Sequence, residues 1–331
     1  MKTLFPISLL IAVSACTTNP VEITSEQIQE DPRTIIDLGE QGNPEQHPSQ
    51  NELEYELPNL QPHFDPIAHA GAIEEVAKGF WFVEGPVWTD DNVLLFSDIP
   101  ANKVYQVEGG ELAIFKNRSE NSNGLTLDND GHIVAAQHGT RSISKIENGE
   151  STVIVEQFEG KKLNSPNDLV YHSNGDLFFT DPPYGIEDQQ RELEQNHVFH
   201  YSASGELTSI WAGEDWTRPN GVALSLNERT LYVSYTNEAV VRAFPIDERG
   251  NVGEGEIFAD VSSVADGMTV DPFGNLYVTT VAGIEVLNSD GELWGTLSIP
   301  NQPSNCTFGG EDGNTLYVTA VDAVYAIPFS W

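Results

Sequence analysis

The chain is poor in positive charge. Its 331 residues carry 15 Lys and Arg against 51 Asp and Glu, a formal net charge of −36. That deficit excludes nucleic acid as a partner, because phosphates would be repelled, and disfavours docking on anionic lipid. It reads as a solubility device suited to a saline medium, where screening weakens self-repulsion. Cysteine is nearly absent, with Cys16 and Cys306 the only two. There is no His/Cys cluster of zinc type. No stretch sustains a 3.6-residue apolar period and no strand–helix alternation is visible, which sets aside helical bundles and α/β folds.

Long apolar runs are also missing, apart from one. Residues 4–13 follow Met1-Lys2 and are too few to span a bilayer as a permanent helix. They read as an export signal, expected over residues 1–15. The string Val13-Ser14-Ala15-Cys16 resembles the lipobox of bacterial lipoproteins. That resemblance implies a lipid on Cys16, which becomes the mature N-terminus. Thr17 after it then favours the outer membrane, facing the periplasm, so that any membrane contact is through this anchor alone. With Cys16 lipidated no intramolecular disulfide remains, and Cys306 reads as a small buried hydrophobe. Residues 16–70 are acidic and polar, and read as a tether with at most fragments ordered against the domain.

From residue 71 to 331 the character changes. Short alternating strands are punctuated by Gly, Asn-Gly, Asp-Gly and Pro. Six stretches share one opening: Glu84-Gly85-Pro86-Val87-Trp88, Asn123-Gly124-Leu125, Asn167-Asp168-Leu169, Asn220-Gly221-Val222, Asp266-Gly267-Met268 and Asn305-Cys306-Thr307. The lead residues are spaced by 39, 44, 53, 46 and 39 positions. Each unit continues with a polar turn, a second strand such as Leu177-Phe178-Phe179-Thr180-Asp181, and a third such as Val198-Phe199-His200-Tyr201. A strand-rich period in the forties predicts an all-β, six-bladed β-propeller with four-stranded blades around a central channel. The stretch from Ile73 to Phe82 is expected to complete the last blade beside Val324-Tyr325-Ala326-Ile327.

In such a fold the six leads lie near one mouth. Two carboxylates, Glu84 and Asp266, and the amides of Asn123, Asn167, Asn220 and Asn305 would share one buried point. A divalent cation relieves the desolvation cost. An all-oxygen donor set selects a hard ion, Ca²⁺ first and Mg²⁺ or Mn²⁺ next. Asn and Asp before Gly are also ordinary turn residues, so the repeat has a purely structural reading. Glu84 tells against it, being a poor turn residue.

These stretches resemble the SMP-30/gluconolactonase/LRE family. The resemblance also rests on Gln137-His138-Gly139-Thr140-Arg141, Leu163-Asn164-Ser165-Pro166-Asn167-Asp168, Thr180-Asp181-Pro182-Pro183-Tyr184-Gly185 and Arg218-Pro219-Asn220-Gly221. It implies a propeller holding one divalent cation, Zn²⁺ included among the possible ions, through Glu84, Asn220 and Asp266. Asn167 would be a further ligand or a substrate contact. It implies hydrolysis of a small-molecule sugar lactone, D-glucono-1,5-lactone to D-gluconate, by a monomer. The cation would polarise the lactone carbonyl and activate water. Asp266 is the first choice of base, with His138 the other. Asn123, Arg141, Asp181 and Tyr184 are the remaining expected substrate contacts. Another sugar lactone, an organophosphate ester, or a non-catalytic scaffold or binding role stay open as alternatives.

Overall fold

A computed structural model of the chain describes residues 65–331 and, before them, the short strand Ile35–Ile36. Residues 1–15, Cys16 and most of the expected tether lie outside the described residues.

Each repeat folds as an antiparallel sheet of four strands in sequential order. Blade 1 consists of Val83–Trp88, Val93–Asp98, Lys103–Glu108 and Glu111–Asn117. Blades 2, 3, 4 and 5 span 122–155, 169–213, 219–260 and 268–297. Blade 6 combines Asn305–Gly309, Thr315–Ala320 and Ala323–Pro328 with Glu74–Lys78 from the other end of the domain. Glu75 pairs with Tyr325 and Ala77 with Val324. The expected closure of the last blade is therefore present, and it hides an edge that would otherwise be exposed.

The second strands explain why the blades pack. In blade 3, Leu177, Phe178 and Phe179 are all fully buried, because both faces of a blade meet a neighbour. The apolar core accordingly divides into six clusters, one between each pair of adjacent blades. Phe179 and Phe199 meet Val134 and Ile143 between blades 3 and 2, while Phe178 faces Val222 and Leu231 between blades 3 and 4. Phe80 and Val83 close the ring by packing with Val324. Each buried side chain of this size contributes about 1.5–3 kcal/mol.

Two segments ahead of residue 71 belong to the fold. A one-turn 3₁₀ helix, Pro66–His69, is capped by Asp65 and inserts Ile67 beneath blades 5 and 6. Ile35–Ile36 adds parallel to Leu293–Leu297 at the rim of blade 5. Cys306 is buried in the cluster between blades 5 and 6, and burial with the nearby Asp168 and Glu84 charges pushes its thiol up. It is a core residue, as expected. Trp88 stacks on Tyr317 and also serves packing.

Candidate active site

The six inner strands begin at one face, and their leads meet there. Glu84, Asn123 and Asn220 fall at the second position of Val83–Trp88, Ser122–Leu127 and Pro219–Leu224, and Asn305 opens Asn305–Gly309. Asn167 and Asp266 stand just ahead of Leu169–Tyr171 and Met268–Val270, their amides bonded to the Thr180 and Thr279 carbonyls.

The small residue after most leads serves space. A Cβ on Gly221 would stand 2.4 Å from the Asp266 carbonyl oxygen, and one on Gly267 would stand 2.1 Å from the Asn305 side chain. Glycine lets neighbouring inner strands close on one another, which brings the leads together. Hydroxyls from second strands tie the blades at this level. Thr180 Oγ1 donates to the Asn220 carbonyl and Ser234 Oγ to the Asp266 carbonyl, each at 2.6 Å.

The amides form a chain along one side of the ring. Asn123 Nδ2 donates to Asn167 Oδ1 (2.6 Å), Asn167 Nδ2 to Asn220 Oδ1 (2.5 Å), and Asn220 Nδ2 to Thr236 Oγ1 (2.9 Å). The other side is acidic. Glu84 is buried, with Oε2 accepting from the Gly85 amide at 2.8 Å. Asp266 is half-buried. Asn305 lies beside Glu84 and Asp168 and lowers the cost of both charges.

The electrostatics follow from burial. Desolvation, and then the Asp266 charge, hold Glu84 well above the ordinary carboxylate range. Desolvation, and then the Asp168 charge, raise Asp266 as well. Asp168 is pushed up to about 6, chiefly by burial. Neighbouring carboxylates suppress the ionisation of Glu84 and Asp266, and a cation among them would reverse that. Asn123 Oδ1 is buried and has no partner. An all-oxygen set with an unpartnered amide oxygen and carboxylates held above their ordinary range fits a hard divalent ion.

His138 abuts this ring. It is buried, its Nε2 lies 3.4 Å from Asn123 Nδ2, and burial lowers its pKa to about 4. It is therefore neutral at pH 7. Tyr184 also reaches the site: its hydroxyl donates to Thr236 Oγ1 at 2.9 Å and lies beside Asn220.

Two expected substrate contacts are placed elsewhere. Arg141 Nε donates to the Leu163 and Asn164 carbonyls, and Nη1 to the Gln190 carbonyl. It clasps two loops. Asp181 has no exposed surface, and its Oδ2 accepts from the Asn164 amide at 2.7 Å. It anchors the loop that carries Asn167 and is not a rim residue. Both side chains satisfy irregular backbone that no sheet bonds reach.

The sequence reading missed Asp168 and Thr236. Asp168 Oδ1 accepts from the Leu169 amide and Oδ2 from Val222 across the blade boundary, at 3.0 and 3.1 Å. A signal existed: among the six leads, only Asn167 is followed by an acid. Below the ring, a cavity of about 360 Å³ opens toward the opposite face. Leu125, Leu169, Val222 and Met268 line it, with Asp168 and the lead Asn305 at its polar end, and neither Glu84 nor His138 borders it. Asp128, Asp130 and His132 also cluster, but in a hairpin turn where Asp128 accepts from both following amides.

Residues 82–322 match the SMP-30/gluconolactonase/LRE-like region. Over 299 residues the chain is 36% identical to a gluconolactonase of Zymomonas mobilis, covering 80% of this chain and 83% of that one. Its fold is similar to that of a gluconolactonase from Xanthomonas campestris, with a TM-score of 0.73 and 30% identity over 78% of this chain and 89% of the other. A calcium-binding regucalcin from Agrobacterium tumefaciens shares the fold alone, with a TM-score of 0.67 and 17% identity over 78% of this chain and 94% of the other. The match spans the propeller from its first blade to its last, and the chain belongs to the SMP-30/gluconolactonase/LRE-like family.

Proposed function

We propose that this chain is a metal-dependent sugar-lactone hydrolase, with D-glucono-1,5-lactone as its first substrate to test. The convergence of Glu84, Asp266, Asn167 and Asn220 at one mouth, beside a neutral His138, carries the reading. The family relationship supports it. A divalent cation, Ca²⁺ by donor type, would be held by Glu84, Asn220 and Asp266, with Asn167 alongside, and would supply carbonyl polarisation and a more acidic water.

The chain's own groups do the rest. A carboxylate of Asp266 accepts a proton from the attacking water, and the water oxygen bonds to the lactone carbonyl carbon. The amides of Asn123 and Asn167 are placed to donate to oxygen at that centre. Collapse breaks the ring C–O bond, and the departing ring oxygen takes up a proton. Neutral His138, through Nε2, is the second group able to move a proton there. Tyr184 walls the mouth above Asn220.

The test is acid release from D-glucono-1,5-lactone, followed with a pH indicator before and after chelation. Hydrolysis above the spontaneous rate, lost on chelation and restored by Ca²⁺, Mg²⁺, Mn²⁺ or Zn²⁺, is expected. Glu84→Gln and Asp266→Asn should lose bound metal and activity together while keeping their melting transition. Full activity without metal would overturn the mechanism. Further, Val13-Ser14-Ala15-Cys16 supports export and a lipid anchor on Cys16 at the outer membrane, facing the periplasm. Cys16→Ser should move the protein from the membrane to the soluble fraction, and an unchanged distribution would sink that proposal.

A further inference from the structure

The loop 214–218 leads into blade 4 and ends two residues before Asn220. Arg218 sits there, half-buried, with its guanidinium over the Tyr184 ring at 5.4 Å. Among the described residues its one side-chain hydrogen bond is from Nε to the Asp215 carbonyl at 3.5 Å. No carboxylate pairs with it among the described residues. The acids nearby are engaged, Asp215 with Arg191 and Glu238 with Arg242. In a chain with 51 acidic residues and 15 basic ones, an unpaired Arg at the mouth of the site calls for a partner.

Its position says which part of a ligand it reads. The Tyr184 hydroxyl touches Thr236 beside Asn220, and Arg218 lies on that ring. Arg218 is thus set back from the ring of leads by an aromatic side chain. A lactone carbonyl at the leads would place its far end against Arg218. A guanidinium on an aromatic face presents a planar fork that suits a carboxylate or a phosphate. Bulk surface charge is screened beyond about 8–10 Å, so what a ligand's far end meets is set locally, and beside Tyr184 the cation Arg218 stands outward of the ring carboxylate Asp266.

We propose that Arg218, backed by Tyr184, selects sugar lactones that carry an anionic group, a carboxylate or a phosphate, at the end remote from the lactone carbonyl. This rests on the lactonase reading above.

The experiment compares kcat/KM of the metal-loaded full chain on three lactones. D-glucono-1,5-lactone is neutral, D-glucaro-1,4-lactone bears a carboxylate, and 6-phospho-D-glucono-1,5-lactone bears a phosphate. At least one anionic lactone should be preferred over the neutral one by about tenfold or more, mainly through KM. Which of the two is preferred identifies the group. Arg218→Gln should abolish the preference while changing the neutral lactone far less, and Arg218→Lys should restore part of it. Raising the salt concentration should erode the wild-type preference, a readout that needs no variant. Hydrolysis of the neutral lactone with no anionic preference overturns the proposal, as does an equal loss on all three in Arg218→Gln. Hydrolysis of none of them would instead overturn the lactonase reading.

Discussion

At the scale of single residues, the site is a problem in charge. Glu84, Asp168 and Asp266 lie in one channel; burial holds all three above their ordinary range, and neighbouring charge adds to the rise at Glu84 and Asp266. A raised carboxylate keeps its proton at a pH where an exposed one has lost it. Without a cation, then, the folded chain holds protons here from about pH 4 up to the raised values, and a cation must displace them. Affinity should weaken as pH falls through that window and level off at alkaline pH. Calorimetric titration with Ca²⁺ at pH 6, in two buffers of different ionisation heat, should register proton release on binding that shrinks as the pH is raised. Heats independent of buffer would contradict this. Glu84 was legible because glutamate has no local turn role to fill. Asp168 was not, because its work is to accept an amide from the next blade. Arg141 and Asp181 bond to loop backbone, a use that residue type and spacing do not reveal.

At the scale of the strand, the repeat is a device for close approach. At the four leads followed by glycine, that glycine admits the neighbouring inner strand and lets the lead side chains close on one another. Gly221→Ala places a methyl 2.4 Å from the Asp266 carbonyl, and backbone cannot yield as a side-chain tip does. The substitution should cost about 1–3 kcal/mol in denaturant unfolding and weaken cation binding as well. Phe179→Ala should cost about 3–5 kcal/mol yet leave cation affinity nearly intact, since Phe179 lies in the core between blades 2 and 3. Equal loss of affinity in both variants would show that the ring senses stability and not strand spacing. The sequence displayed the motif but not its cause. Asn-Gly and Asp-Gly read equally well as turns, and only the neighbouring blade decides between them.

At the scale of the whole molecule, the chain closes on itself. Residue spacing sufficed to count the blades, and the aromatic stretch after Ile73 marked the closing segment. Glu74–Lys78 then pairs with Ala323–Pro328, joining the two ends of the domain. The Pro66–His69 turn and Ile35–Ile36 were not legible, because so few residues carry no periodicity. Ile67 nonetheless fills a site under blades 5 and 6. Removing residues 1–78 should lower the melting temperature by several degrees or more relative to removal of 1–64, since it strips a strand and Ile67 together. Coincident melts would mean that blade 6 stands on three strands.

One measurement bears most directly on the central claim that Glu84, Asn220 and Asp266 hold a catalytic cation. Crystals grown with Ca²⁺, or soaked in Mn²⁺, would be examined by anomalous scattering. A single peak on the channel axis is predicted, about 2.0–2.6 Å from oxygens of Glu84, Asn220 and Asp266. A channel without a peak in a crystal whose Asp128, Asp130 and His132 turn holds the ion would contradict it.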